Sequence, residues 1–161
     1  MRELVISSVL LSLALQASAQ TFAPVPGDAP AISGAPNAAA ITFVLPQDLK
    51  FEGAPGETRA KLYGDPEKEG PYAILYKWEP GHHSKPHTHS VDRFGYVISG
   101  TWWMSSASTE DKSTLYPVPA GSFVTHKAGQ VHWDGGVDNT ALVLVTGVGP
   151  IHTTRVPQPM K

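Results

Sequence analysis

Gly81-His82-His83-Ser84-Lys85-Pro86-His87-Thr88-His89, continuing through Asp92-Arg93-Phe94 to Gly100, is the stretch on which the reading of this chain turns. His87 and His89 stand two residues apart. On a β-strand, side chains at i and i+2 leave the same face, so both imidazoles can enter one interior and address one metal ion. The sequence has 7 histidines, and all but His152 lie between His82 and His132. His132 arrives some forty residues later, on another predicted strand. His87, His89 and His132 are therefore the candidate metal ligands. Three neutral imidazoles suit Zn, Fe, Ni, Cu or Mn and leave a position open for water or substrate. A lone His-x-His is a weak signal, and its weight here comes from its setting.

Outward from that stretch, short apolar or alternating runs recur between turn signals. They predict strands at 41–45, 59–63, 72–78, 93–99, 101–105, 114–118, 122–126, 131–134 and 142–148. Gly64-Asp65-Pro66, Glu79-Pro80-Gly81, Ser99-Gly100 and Gly135-Gly136 punctuate them. No segment carries a long apolar period of 3.6. The pattern predicts an all-β domain, a sandwich or a jelly-roll β-barrel.

Composition agrees. The 161 residues are 41% apolar and 16% charged, with 15 Gly and 15 Pro. That is enough apolar content for one domain with a core, too little charge for a disordered chain, and many turns. Net charge is −2, and no basic run occurs, which argues against nucleic acid as a partner. With no Cys, disulfides, thiolate metal sites and cysteine nucleophiles are excluded. There is no Gly-x-Ser-x-Gly elbow, no P-loop and no His-Glu-x-x-His helix.

The N-terminus reads as an address. Arg2, the apolar run 4–15 and Ala17-Ser18-Ala19 have the order of a signal peptide, residues 1–19, cleaved before Gln20. The run is short for a membrane span, and no lipobox cysteine is present, so export to the periplasm or medium without a stable membrane anchor is expected. Residues 20–40, rich in Pro and Ala, read as a leader or tether, and 41–161 as the β-barrel domain with a short tail.

The quoted stretch resembles the first motif of the cupin superfamily: Gly, five residues, His-x-His, three or four residues, Glu, six residues, Gly. Gly121 through Gly129 to His132 resembles the second: Gly, five residues, Pro-x-Gly, two residues, His. The likeness spans roughly Tyr72 to Val148 and implies a single cupin-type jelly-roll barrel. Asp92-Arg93-Phe94, Gly100-Thr101-Trp102-Trp103 and His132-Trp133-Asp134-Gly135 also resemble a group of small exported bacterial cupins. Three departures stand out. Arg93 occupies the place of the Glu ligand, Lys127 that of the proline, and Gly136 that of the Asn after the last His. A guanidinium stays protonated and has no lone pair to give a metal. The resemblance then implies a three-His site, as in thiol dioxygenases of the superfamily.

Arg93 and His126 are the candidate catalytic residues. Arg93 shares strand parity with His87 and His89 if no bulge intervenes, and its planar fork suits a carboxylate or phosphate. The competing reading turns it outward or pairs it with Asp92 or another carboxylate. His126 is a fourth ligand, an acid–base group or a packed barrel histidine. His83 can approach the mouth of the site, although a solvent-exposed loop position is the simpler reading. Asp134 shares parity with His132 and can orient an imidazole. Trp102, Trp103 and Trp133 read as packing or cavity walls. Two functions follow. One is a metal-dependent enzyme acting on a small and by Arg93 anionic molecule, for which the resemblance implies an oxidoreductase of dioxygenase type before a lyase or isomerase. The other is a non-catalytic metal- or ligand-binding protein. A homodimer is compatible with either.

Overall fold

The computed structural model describes residues 37–158. The expected signal peptide and nearly all of the leader lie outside them. The chain divides into Met1–Thr42 and Phe43–Lys161. Within the first, the Ala40 and Ile41 N–H groups donate to Asn37 O in a turn. The second holds every described strand.

Eleven strands form it: β1 (Glu52–Ala54), β2 (Glu57–Tyr63), β3 (Gly70–Trp78), β4 (His87–His89), β5 (Arg93–Ser99), β6 (Thr101–Ser105), β7 (Tyr116–Pro119), β8 (Phe123–His126), β9 (Trp133–Gly135), β10 (Ala141–Gly149) and β11 (Thr153–Arg155). A six-stranded sheet runs β1-β2-β3-β10-β5-β8, a three-stranded one β7-β6-β9, and β11 pairs with β4. All pairings are antiparallel. The all-β, jelly-roll expectation holds.

Alternation builds the core. Along β10, Ala141, Val143, Val145 and Gly147 are buried and their neighbours are less so. Ala141, Val143 and Val145 join Tyr72, Ile74 and Trp78 of β3 and Val97 of β5, and Trp102 of β6 closes the cluster from the smaller sheet. Each fully buried aliphatic side chain contributes on the order of 1.5–3 kcal/mol against exposure. Gly95 lies under Trp102, whose Cζ3 would stand 2.7 Å from any Cβ added there. Gly81, Gly100, Gly121 and Gly129, which punctuate the two histidine-bearing stretches, all have φ between +72° and +87°. An L side chain resists that region, so these glycines let the strands turn on either side of the site.

Three strand expectations need correction. Residues 41–45 form no strand: Ile41, Phe43, Val44 and Leu45 are exposed, and Pro46 begins a 3-10 turn, Pro46–Asp48. An apolar run without a sheet partner has no reason to extend. Strand 114–118 begins later, at Tyr116, because Lys112–Thr114 is a 3-10 turn whose cap, Asp111, accepts from Ser113 N at 2.9 Å. Strand 131–134 is shifted to Trp133–Gly135, and His132 makes an isolated bridge to His87 instead. Two short exposed strands, β1 and β11, have no apolar pattern to announce them. No helix among the described residues is long and apolar enough to cross a membrane.

Candidate metal centre

Backbone pairing brings the histidines together. β4 is bonded on both sides. On one side it pairs with β11, setting Thr153 opposite His89 and Arg155 opposite His87. On the other, His87 N donates to His132 O at 2.9 Å and His132 N to His87 O at 3.0 Å. β8 pairs with β5 so that His126 lies opposite Arg93. β9 then carries Asp134 past the cluster, two residues on from His132.

His87, His89 and His132 are buried, and their ligand atoms lie within 4.8 Å of one another. The ring centroids are 4.4 Å apart for His87 and His132 and 5.0 Å for His89 and His132. Their protons can be placed. His87 Nδ1 lies 2.6 Å from Lys85 O and His132 Nδ1 3.2 Å from Gln130 O. A carbonyl only accepts, so both Nδ1 atoms carry the hydrogen and both Nε2 atoms present lone pairs. Arg93 Nη1 donates to His89 Nε2 at 2.7 Å. A guanidinium only donates, so His89 Nε2 is also a lone pair, and its Nδ1–H is left to donate to Thr153 Oγ1 at 3.0 Å. Two imidazole lone pairs therefore face each other 3.1 Å apart, at His87 Nε2 and His89 Nε2, with no proton between them. His132 Nε2 has no hydrogen-bond partner. This donor set fits a cation.

Burial keeps the imidazoles of His89, His126 and His132 neutral, the state that ligation requires. Burial, then the Arg93 charge, push His89 down to about 2. Burial, then His87, push His132 down to about 4. His126 is pushed to about 2 by burial and by the neighbouring His132. Asp134 moves the other way: burial raises it, against the lowering influence of His87 and Arg93.

Arg93 faces inward, but not by strand parity. The strand breaks after His89, and Arg93 opens β5. Its guanidinium lies 5.6 Å from the Tyr76 ring centroid, and its Nε is buried without a partner. Asp92 accepts from Ala128 N at 2.7 Å and is no partner of Arg93. His126 packs against His132 with centroids 3.9 Å apart and rings tilted by 32°, and its centroid lies 5.2 Å from that of Trp102. His83 packs on Trp133, centroids 5.1 Å apart, and binds Ser84 O through Nδ1; it is not part of the cluster. Trp102 and Trp133 are buried, whereas Trp103 is half-buried and donates to Asp138.

Two cavities meet these residues. One, of about 370 Å³, is lined by Glu57, Arg59, Lys85, Arg93 and Arg155 beside His87 and His89. Burial raises the carboxyl of Glu57 there, with Arg59 opposing. The other, of about 400 Å³, is lined by Met104, Tyr116, Val124 and Thr125 beside His126 and His132. Sequence reading missed Glu57, Arg59, Thr153 and Arg155, which carry no local motif and reach the cleft only through the pairing of β2 and β11.

A family model described as a domain of unknown function, DUF4437, matches residues 46–149. Among solved structures, the polyketide cyclase RemF from Streptomyces resistomycificus is similar with a TM-score of 0.57 at 21% identity, over 70% of this chain and 84% of that one. KdgF from Halomonas sp. is similar with a TM-score of 0.52 at 20% identity, over 65% and 92%. An RmlC-like cupin from Shewanella frigidimarina is similar with a TM-score of 0.52 at 16% identity, over 65% and 86%. At such identities the likeness speaks for the fold, and that fold is the cupin barrel. No curated protein matches the sequence.

Proposed function

The chain belongs to the DUF4437 family and has the cupin fold, and we propose that it is a metal-dependent enzyme, of oxidoreductase type, acting on a small anionic molecule. The observation that carries the reading is the pair of facing lone pairs on His87 and His89, 3.1 Å apart, with His132 Nε2 unpartnered beside them. His87, His89 and His132 would hold a divalent ion, Fe, Mn, Zn, Ni or Cu. Such an ion supplies Lewis acidity and, where redox-active, electron transfer to a bound molecule.

The chain's own residues define the rest. Arg59, Arg93, Arg155 and Lys85 place four cationic side chains around the cleft, against Glu57 and Asp134. A carboxylate or phosphate suits that balance. Arg93 already has its Nη1 on His89, and its guanidinium lines the cleft that the anion would enter. The walls of Trp78, Trp102 and Val145 exclude water from one side. Within this reading the chain is exported; Arg2, the apolar run 4–15 and Ala17-Ser18-Ala19 support it.

A second reading, a non-catalytic binder, has one observation in its favour: the guanidinium of Arg93 occupies the lone pair of a candidate ligand. Metal analysis by mass spectrometry on the untagged protein, followed by a turnover screen on small carboxylates and phosphates, separates them. The enzyme reading expects about one ion per chain and conversion of at least one compound. Bound metal with every compound returned unchanged would favour the binder. Absence of metal after reconstitution would remove both metal readings.

A further inference from the structure

Arg93 engages His89 Nε2, so one nitrogen of the His87–His89–His132 set faces a fixed cation. On the far side of His132 a second set converges. The ligand atoms of His126, His132 and Asp134 also lie within 4.8 Å of one another. All three side chains belong to residues more than nine-tenths buried, at 8%, 7% and 6% exposure. His126 Nε2 and His132 Nε2 both lack a hydrogen-bond partner. His126 Nε2 and Asp134 Oδ2 stand 3.9 Å apart, too far for a hydrogen bond.

We propose that His126 Nε2, His132 Nε2 and the Asp134 carboxylate form a second position for a divalent transition-metal ion, occupied while Arg93 stays on His89. The inference rests on the reading that the chain holds such an ion. Its physical basis is charge. The three-His set offers no negative charge and has a guanidinium beside it. The second set offers one carboxylate, and a buried carboxylate is stable when paired with a cation or protonated. The carboxylate that β5 lacks at Arg93 is thereby supplied by β9. Two His and one carboxylate is also a donor set that leaves coordination positions open for non-haem iron. The cavity of about 400 Å³ reaches His126 and His132. His132 has a single inward nitrogen, so the two positions exclude each other, and one ion per chain is bound.

The test is calorimetric titration of the whole protein with Co2+ in an anion-poor buffer, with circular dichroism confirming that each variant is folded. Asp134→Asn and His126→Ala should each weaken Co2+ by about 30-fold or more, whereas the double variant His87→Ala/His89→Ala should stay within about 3-fold of wild type; loss of an outer partner alone typically costs about 10–100-fold. The opposite pattern overturns the proposal and leaves the three-His reading standing. A folded wild type that binds no Co2+ overturns both. If all variants lose the ion, X-ray absorption on the Co2+-loaded wild type decides. Two imidazoles with a carboxylate support the second position, and three imidazoles overturn it.

Discussion

The guanidinium of Arg93 donates to His89 Nε2 and lines the cleft, so one residue links the histidines to whatever anion enters there. Removing it should have opposite effects on two ligands. In Arg93→Ala, affinity of the His87–His89–His132 set for a divalent ion should rise by about 10-fold, because a like charge about a hydrogen bond away costs on the order of 1 kcal/mol or more. Affinity for a small carboxylate should fall by a similar factor or more. Titrations with Co2+ and then with the anion read both. Unchanged affinity for both ligands would show that Arg93 is only a structural donor. The imidazoles carry a second residue-scale consequence. His132, held at about 4, and His126, held at about 2, are neutral in the fold but take up protons near 6.5 when unfolded. The unfolded state therefore binds more protons as pH falls below about 6.5, and stability is lost from there down through about 4 for His132 and about 2 for His126. The metal-free protein should melt several degrees lower at about pH 4.5 than at about pH 7.5. An equal melting temperature at both would contradict the neutral, buried assignment.

At the scale of elements, β4 is only three residues long, yet it determines the site because it is bonded on both edges. β11 supplies Thr153, whose hydroxyl receives the His89 Nδ1–H. Thr153→Val keeps the shape of the strand and removes that acceptor, so Co2+ bound through His89 should weaken by about 10-fold or more. If the ion sits instead at His126, His132 and Asp134, the same variant should leave affinity unchanged, which provides an independent check on the second position. β5 offers a stability test. Gly95 has no room for a side chain below Trp102. Gly95→Ala should cost roughly 1–3 kcal/mol, read from chemical denaturation, because the indole must leave its packed position. A variant as stable as wild type would mean the Trp102 ring has space to move.

At the scale of the whole molecule, the jelly roll is a frame in which two sheets and one short ribbon converge on the buried histidines. Bound metal should therefore stabilise the entire domain. At an ion concentration of about 100 times Kd, unfolding should become harder by about 2.7 kcal/mol, visible as a higher melting temperature that follows ion concentration. Metal that binds without raising it would have to bind the unfolded chain equally well.

Much of this was legible before any coordinates. Short apolar or alternating runs at 93–99, 101–105 and 142–148, set between turn signals, announced β5, β6 and β10. The His-x-His spacing placed two imidazoles on one face, and glycines at 81, 100, 121 and 129 marked the turns, since only glycine takes their positive φ readily. The strand at 41–45 failed because apolar residues alone do not supply a pairing partner. Strand parity does not carry Arg93 inward, since a turn, not a continuous strand, joins it to His89. The all-β class, the motif spacing and the three candidate imidazoles follow from local period and local residue chemistry. Tertiary structure alone decided that Arg93 caps His89, that Thr153 and Arg155 return to flank β4, and that His126 and Asp134 close on the far side of His132. Those contacts join residues as distant in sequence as His87 and Arg155, and only the pairing of strands across the barrel brings them within the few ångströms over which hydrogen bonds and metal ligation act.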